Sequence, residues 1–174
     1  NIPEWSVGDP HRKYVNGGGQ GMSGFLWAFE TALSGNNPPS GFEEAEIEHI
    51  LPKIPSKWVG VGFVPQDKWF SGGRATDRHK QFVEMLGNKA LIKKQLNSHV
   101  RNFTFLGKKL NGGPGNPDCD IQGCANHYDS AATFPSISSA HPLGVSGYGN
   151  WDEGEITSRT EEMMDKIISM FDTI

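Results

Sequence analysis

The chain has 174 residues, a formal net charge of −4, 36% hydrophobic and 21% charged residues. That length suits a single domain burying roughly two-thirds of its unfolded surface without staples. The mild acidity excludes a strongly basic nucleic-acid-coating surface, though not a local basic patch. No apolar run approaches the roughly 18 residues needed to cross a bilayer. Two cysteines make no disulfide framework, so a reducing cytoplasm is the expected compartment. The first residue is Asn1, not Met, and the chain reads as a fragment of a longer polypeptide.

The 22 glycines and 11 prolines predict long irregular connections between modest elements. Residues 1–21 are polar and Gly-rich and read as a flexible lead-in. Met22, Phe25, Leu26, Phe29 and Leu33 then fall on one helical face, predicting a helix over 22–35 that stops at Gly35. After a Pro-rich turn, residues 44–51 alternate as a short strand ended by Pro52. Ala45, Ile47 and His49 point one way, and Glu46, Glu48 and Ile50 the other. Residues 53–74 read as a long loop, 76–86 as a short helix, and Gly87-Asn88 as a turn into a second strand from Lys89 to Ile92. Helices are expected across Asn97 and over Phe103 to Leu110. Residues 111–150 read as mostly loop. Ile156, Met163, Met164, Ile167, Ile168, Phe171 and Ile174 predict an amphipathic helix over 152–174, capped by Asp152 or Asn150. The first and last helices are expected to pack on each other, since neither apolar stripe can stand alone.

One constellation carries chemistry. Hydrolysis of a phosphodiester needs a base that works near neutral pH, and histidine is suited to it. It also needs a cation to neutralise phosphate charge. Magnesium keeps several waters, so one carboxylate and one amide oxygen are enough protein. Glu48 and His49 lie side by side in Glu48-His49-Ile50-Leu51-Pro52. Asn88 follows a long loop, Asn97 lies nine positions further on, and the pair Lys108-Lys109 closes the series.

This series resembles the HNH nucleases of the ββα-metal (His-Me finger) group, with their "DHI-x-P" strand, "NL-x-LL" second strand and Asn-bearing helix. Leu86-Gly87-Asn88 through Lys109 further resembles the "LGNLTLL…LN…N..F..KK" signature of GmrSD C-terminal domains, which SspE-type antiphage nickases share. Phe25-Leu26-Trp27-Ala28-Phe29-Glu30 is similar to the family's "YLLY.hE" helix. Trp151, Ile156 and Arg159 are similar to its "W….I..R" block.

The resemblance implies an α+β fold: a small ββα-metal core over 44–110, embedded among helices from both termini in a single domain. It implies His49 as general base, with Asn88 orienting the imidazole or bracing the loop. Glu48 and Asn97 would hold one Mg²⁺ or Mn²⁺, and Lys108, Lys109 and Arg159 would contact phosphate. The implied activity is endonucleolytic nicking or cutting of DNA in bacterial defence, leaving 5′-phosphate and 3′-hydroxyl ends. Modification sensing and nucleotide hydrolysis would reside in a separate N-terminal module, and no membrane is involved. Three departures stand out: Glu48 where Asp is commoner, Lys89 where a core Leu is usual, and about forty residues between His49 and Asn88.

Two other patterns compete. Gly19-Gln20-Gly21-Met22-Ser23-Gly24 fits G-x-G-x-x-G, but the βαβ context of a nucleotide site is missing. Cys119, Cys124 and His127 form a C-x4-C-x2-H cluster that would serve zinc if a fourth ligand joined it; a disulfide or two free thiols is the simpler reading. The alternatives to a nuclease are therefore a non-catalytic nucleic-acid-binding or assembly module on the same scaffold, and a zinc-stabilised interaction domain.

Overall fold

A computed structural model describes residues 20–54, 66–100, 102, 105–109, 128 and 134–171. The Cys119, Cys124 and His127 cluster lies outside them, as does the lead-in up to residue 19. The order is α1 (Gln20–Leu33), β1 (Ala45–His49), α2 (Gln66–Trp69), β2 (Phe70–Ser71), β3 (Arg74–Ala75), α3 (Asp77–Val83), β4 (Lys89–Lys93), α4 (Lys94–Val100), α5 (Phe105–Lys109) and α6 (Glu153–Phe171). Tight 3-10 turns at Phe42–Glu44, Leu86–Asn88 and Val145–Gly147 link them. Helices around small antiparallel sheets make an α+β fold.

β1 and β4 pair antiparallel, with Ile47 opposite Leu91, Glu48 opposite Ala90 and His49 opposite Lys89. The side-chain alternation of a strand then gives the pair two faces. Ala45, Ile47 and Leu91 join a cluster with Met22, Leu26 and Phe29 of α1 and Met163 and Ile167 of α6. Ala90 and Ile92 join a second cluster with Ile50, Leu51, Leu96, Val100, Phe105 and Trp151. The expected contact between first and last helices is thus present. Ile168, placed on the apolar stripe by spacing, is instead 52% exposed, because the buried face of α6 runs through Ile156, Arg159, Met163 and Ile167.

Within the stretch expected to be loop, β2 and β3 form a two-residue hairpin. Gly72 and Gly73 take φ of 56° and 77° at its tip, the left-handed pair that such turns require. Thr76 caps α3 through its side chain, which accepts from the His79 N–H. At the start of α6 the Asp152 N–H donates to Glu155 Oε2 at 2.8 Å, the reciprocal arm of a capping box.

The Leu86–Asn88 turn is a tight joint against α6. The Gly87 N–H donates to Thr160 Oγ1 at 2.9 Å, and Arg159 Nη1 donates to the Gly87 carbonyl at 2.7 Å. A Cβ on Gly87 would lie 2.0 Å from the Ile156 carbonyl oxygen. The other near atoms are the Thr160 backbone nitrogen and its Oγ1, itself held by hydrogen bonds to Gly87 and Ile156, so little there can move. Gly87→Ala is expected to destabilise the protein by upwards of about 2 kcal/mol through overpacking, read as a lower midpoint in chemical denaturation; an unchanged midpoint would show that α6 does not press on this turn.

Candidate active site around His49

His49 ends β1, and the chain leaves the sheet over residues 50–52. Backbone groups there have lost their ladder partners inside a buried core, so each needs another. Three distant side chains supply them. Asn88 Oδ1 accepts from the Leu51 N–H at 2.6 Å, and Asn88 Nδ2 donates to the Leu51 carbonyl at 2.9 Å and to the Val83 carbonyl at 3.0 Å. Trp151 Nε1 donates to the same Oδ1 at 3.1 Å, which saturates the amide. Lys108 Nζ donates to the carbonyls of His49 and Ile50 at 2.7 and 3.2 Å. His79 Nε2 meets the Pro52 carbonyl at 2.8 Å. Of the two roles expected of Asn88, these contacts match bracing the loop.

The His49 ring is 15% exposed, yet its Nε2 is buried and has no hydrogen-bond partner among the described residues. Burial, reinforced by the positive charges of Lys89 and Lys53, pushes its pKa down to about 4. The imidazole is therefore neutral at pH 7, with a lower proton affinity than a solvated histidine. Lys89, buried and directly across the sheet, donates to Glu84 Oε2 at 2.9 Å and to the Glu84 carbonyl. The charge that takes the place of a core leucine is thus neutralised internally.

Glu48 points to the opposite face, into the core. Its Oε1 accepts from Lys108 Nζ at 2.5 Å and from the Tyr128 hydroxyl at 2.7 Å, and all three residues are buried. Asn97 lies elsewhere, with Nδ2 donating to Glu46 Oε2 at 3.0 Å. The expected cation donors Glu48 and Asn97 thus occupy separate networks. A cation held by Glu48 would have to displace an ammonium and a phenol, so the pair does not fit a metal as it stands. Among the described residues no cluster of three His, Cys, Asp or Glu side chains could hold one either.

The expected phosphate contacts also need correcting. Lys108 and Arg159 have no exposed surface. Arg159 Nη1 spans the carbonyls of Gly87 and Lys89 at 2.7 and 2.8 Å, so both cations are internal braces. Lys109 is half-buried and donates to the Tyr148 carbonyl at 2.7 Å. Sequence reasoning passed over Glu46, Glu84 and Tyr128. Glu46 was legible from its alternation with Glu48, whereas Glu84 and Tyr128 gave no local signal.

Near Arg159, Glu30 is fully buried, with Ser136 donating to it from both N–H and hydroxyl. Burial pushes its carboxyl up to about 7. Because the folded value lies above the unfolded one, this stabilisation is complete below pH about 4.5 and is lost as pH rises through 7, amounting to roughly 3 kcal/mol. Glu30→Gln removes the effect, so the melting temperature of the variant relative to wild type is expected to rise between pH 5 and 8; a constant offset would contradict the assignment. For the Glu48 network, Lys108→Met should cost about 3–5 kcal/mol by leaving a buried carboxylate unpaired. Adding Glu48→Gln should recover much of that loss in urea denaturation, and strict additivity of the two would refute the pairing.

Trp151, Ile156 and Arg159 all land on the Leu86–Asn88 turn and the strand after it: the indole on the Asn88 side chain, the Ile156 carbonyl against Gly87, and the guanidinium on the Gly87 and Lys89 carbonyls. The sequence blocks around residues 48–52, 86–89 and 151–159 are therefore one assembly in space. Neither the curated proteins nor the solved structures hold a significant match to the chain. A family model does match: the C-terminal domain of the GmrSD restriction endonucleases, over residues 12–166. The chain therefore belongs to the family of GmrSD restriction endonuclease C-terminal domains, which makes it a nuclease domain with DNA as its substrate.

Proposed function

We propose that the domain is an endonuclease of the HNH type that hydrolyses DNA with His49 as general base, within bacterial defence against foreign or modified DNA. The observation that carries this reading is the position of His49 at the end of β1, on a backbone pinned by Asn88, Lys108 and His79. A base held at one position lowers the entropy cost of the reaction. His49 takes a proton from water, the oxygen attacks phosphorus, and the bond to the 3′-oxygen breaks. The products are a 5′-phosphate and a 3′-hydroxyl, the departing oxygen being protonated by solvent.

The resemblance implies Mg²⁺ or Mn²⁺ as the cofactor, but Glu48 and Asn97 do not converge on one ion. Exposed Lys53, close enough to lower the His49 pKa, is a cation placed to meet a phosphate at His49. A separate N-terminal module for sensing DNA modification and hydrolysing nucleotide completes the reading. No helix among the described residues is long and apolar enough to cross a membrane. A second reading, a non-catalytic nucleic-acid-binding or assembly module, is favoured by one observation: Lys108 and Tyr128 occupy the carboxylate expected to hold the ion.

Supercoiled plasmid incubated with the protein and Mg²⁺ or Mn²⁺ is expected to become nicked or linear. His49→Ala should lower the rate by at least about a hundredfold. Supercoiled plasmid left intact by wild type with either ion, or cut equally by His49→Ala, would remove the catalytic reading. Shifted plasmid mobility without cutting would favour the binding module.

A further inference from the structure

We infer that Glu84 is the positioning carboxylate of His49, held in place by Lys89, so that the site works as a carboxylate–imidazole pair on a lysine anchor. The inference rests on the reading of His49 as base and deepens it. Three observations join. First, His49 Nε2 is buried and lacks a hydrogen-bond partner among the described residues, which a polar ring nitrogen does not tolerate for nothing. Second, Glu84 Oε2 stands 3.7 Å from that nitrogen, too far for a hydrogen bond but within reach of a small rotation of either side chain. Third, the same Oε2 is bonded at 2.9 Å by Lys89, whose ammonium also donates to the Glu84 carbonyl, and Lys89 sits directly opposite His49 in the β1–β4 register.

The arrangement has a chemical consequence. An anion facing Nε2 favours the tautomer with hydrogen on that nitrogen, as a carboxylate does for a catalytic imidazole in general. Solvent reaches the His49 ring but not Nε2. The lone pair left for an incoming water is then that of Nδ1. When the ring takes a proton there, Glu84 faces the new positive charge and stabilises it without accepting the proton. Lys89 acts one step further back. Its buried ammonium fixes the carboxylate, and Glu84 keeps that ammonium from being an unpaired buried charge. The lysine that departs from the family pattern at this position thus acquires a role: it anchors the residue that orients the base.

The experiment has two arms on the full chain. Long-range proton–nitrogen correlation spectra report the His49 tautomer directly, without any need for cleavage. Wild type is expected to show hydrogen on Nε2, and Glu84→Gln a mixture of tautomers. Hydrogen on Nδ1 in wild type overturns the proposal, even if every variant fails to fold. In the plasmid assay, Glu84→Gln is expected to lower kcat by at least about tenfold with KM little changed, and Glu84→Asp to restore part of it. Lys89→Leu, which keeps the carboxylate but frees it, should fall between Glu84→Gln and wild type. Unchanged kcat in Glu84→Gln overturns the proposal while leaving the nuclease reading intact. Absence of cleavage by wild type removes the nuclease reading, and the spectra still decide the pairing.

Discussion

Everything near His49 depends on how the chain leaves β1. A strand that ends inside a core exposes polar backbone groups to apolar surroundings, and each unpaired one costs on the order of 1–3 kcal/mol. Here the carbonyls of residues 49–52 and the Leu51 N–H are answered by Asn88, Lys108 and His79. Ile50 N–H is answered by the Asn88 carbonyl at 3.0 Å. The turn is therefore held from the Leu86–Asn88 turn before β4, from α5 and from α3 at once. Such over-determination fixes a side chain more sharply than packing alone, and His49 inherits it.

The same residues also tie the second strand to the last helix. Asn88 shares its oxygen between Leu51 and Trp151, and that indole stacks on Phe105 with ring centroids 5.5 Å apart. Arg159 clasps the backbone on both sides of Asn88, and Gly87 admits α6 at backbone distance. Ion pairs add a rim: Lys68 reaches Asp152 and Glu153, and Arg78 reaches Glu153, joining α2 and α3 to the start of α6. These solvent-accessible pairs, only partly buried, contribute little to stability individually. The interior braces set the geometry.

Much of this was legible in the sequence, and the limits have physical reasons. Periodicity located α1, β1 and α6, and the Gly87-Asn88 turn marked the start of β4, which is buried on both faces and has no alternation to read. The Gly72-Gly73 hairpin escaped because two-residue strands carry no period to read. Spacing brought His49 and Asn88 to one place. It could not tell which partner a charged side chain finds, because that depends on side-chain direction rather than position. Hence Glu48 and Asn97, expected on one ion, lie with Lys108 and Glu46 respectively. Lys108 and Arg159 looked like phosphate ligands because a sequence does not reveal that a cation is buried. Lys89 looked like a flaw until Glu84 appeared beside it.

The dependence of the Asn88 brace on Trp151 and Arg159 has a consequence in time as well as in space. Chains are made from the N-terminus, and His49 leaves the ribosome more than a hundred residues before Arg159. Until the last helix docks, the turn at Gly87 lacks its clasp and the amide of Asn88 lacks its indole partner. The end of β1 thus reaches its final geometry only in the finished domain.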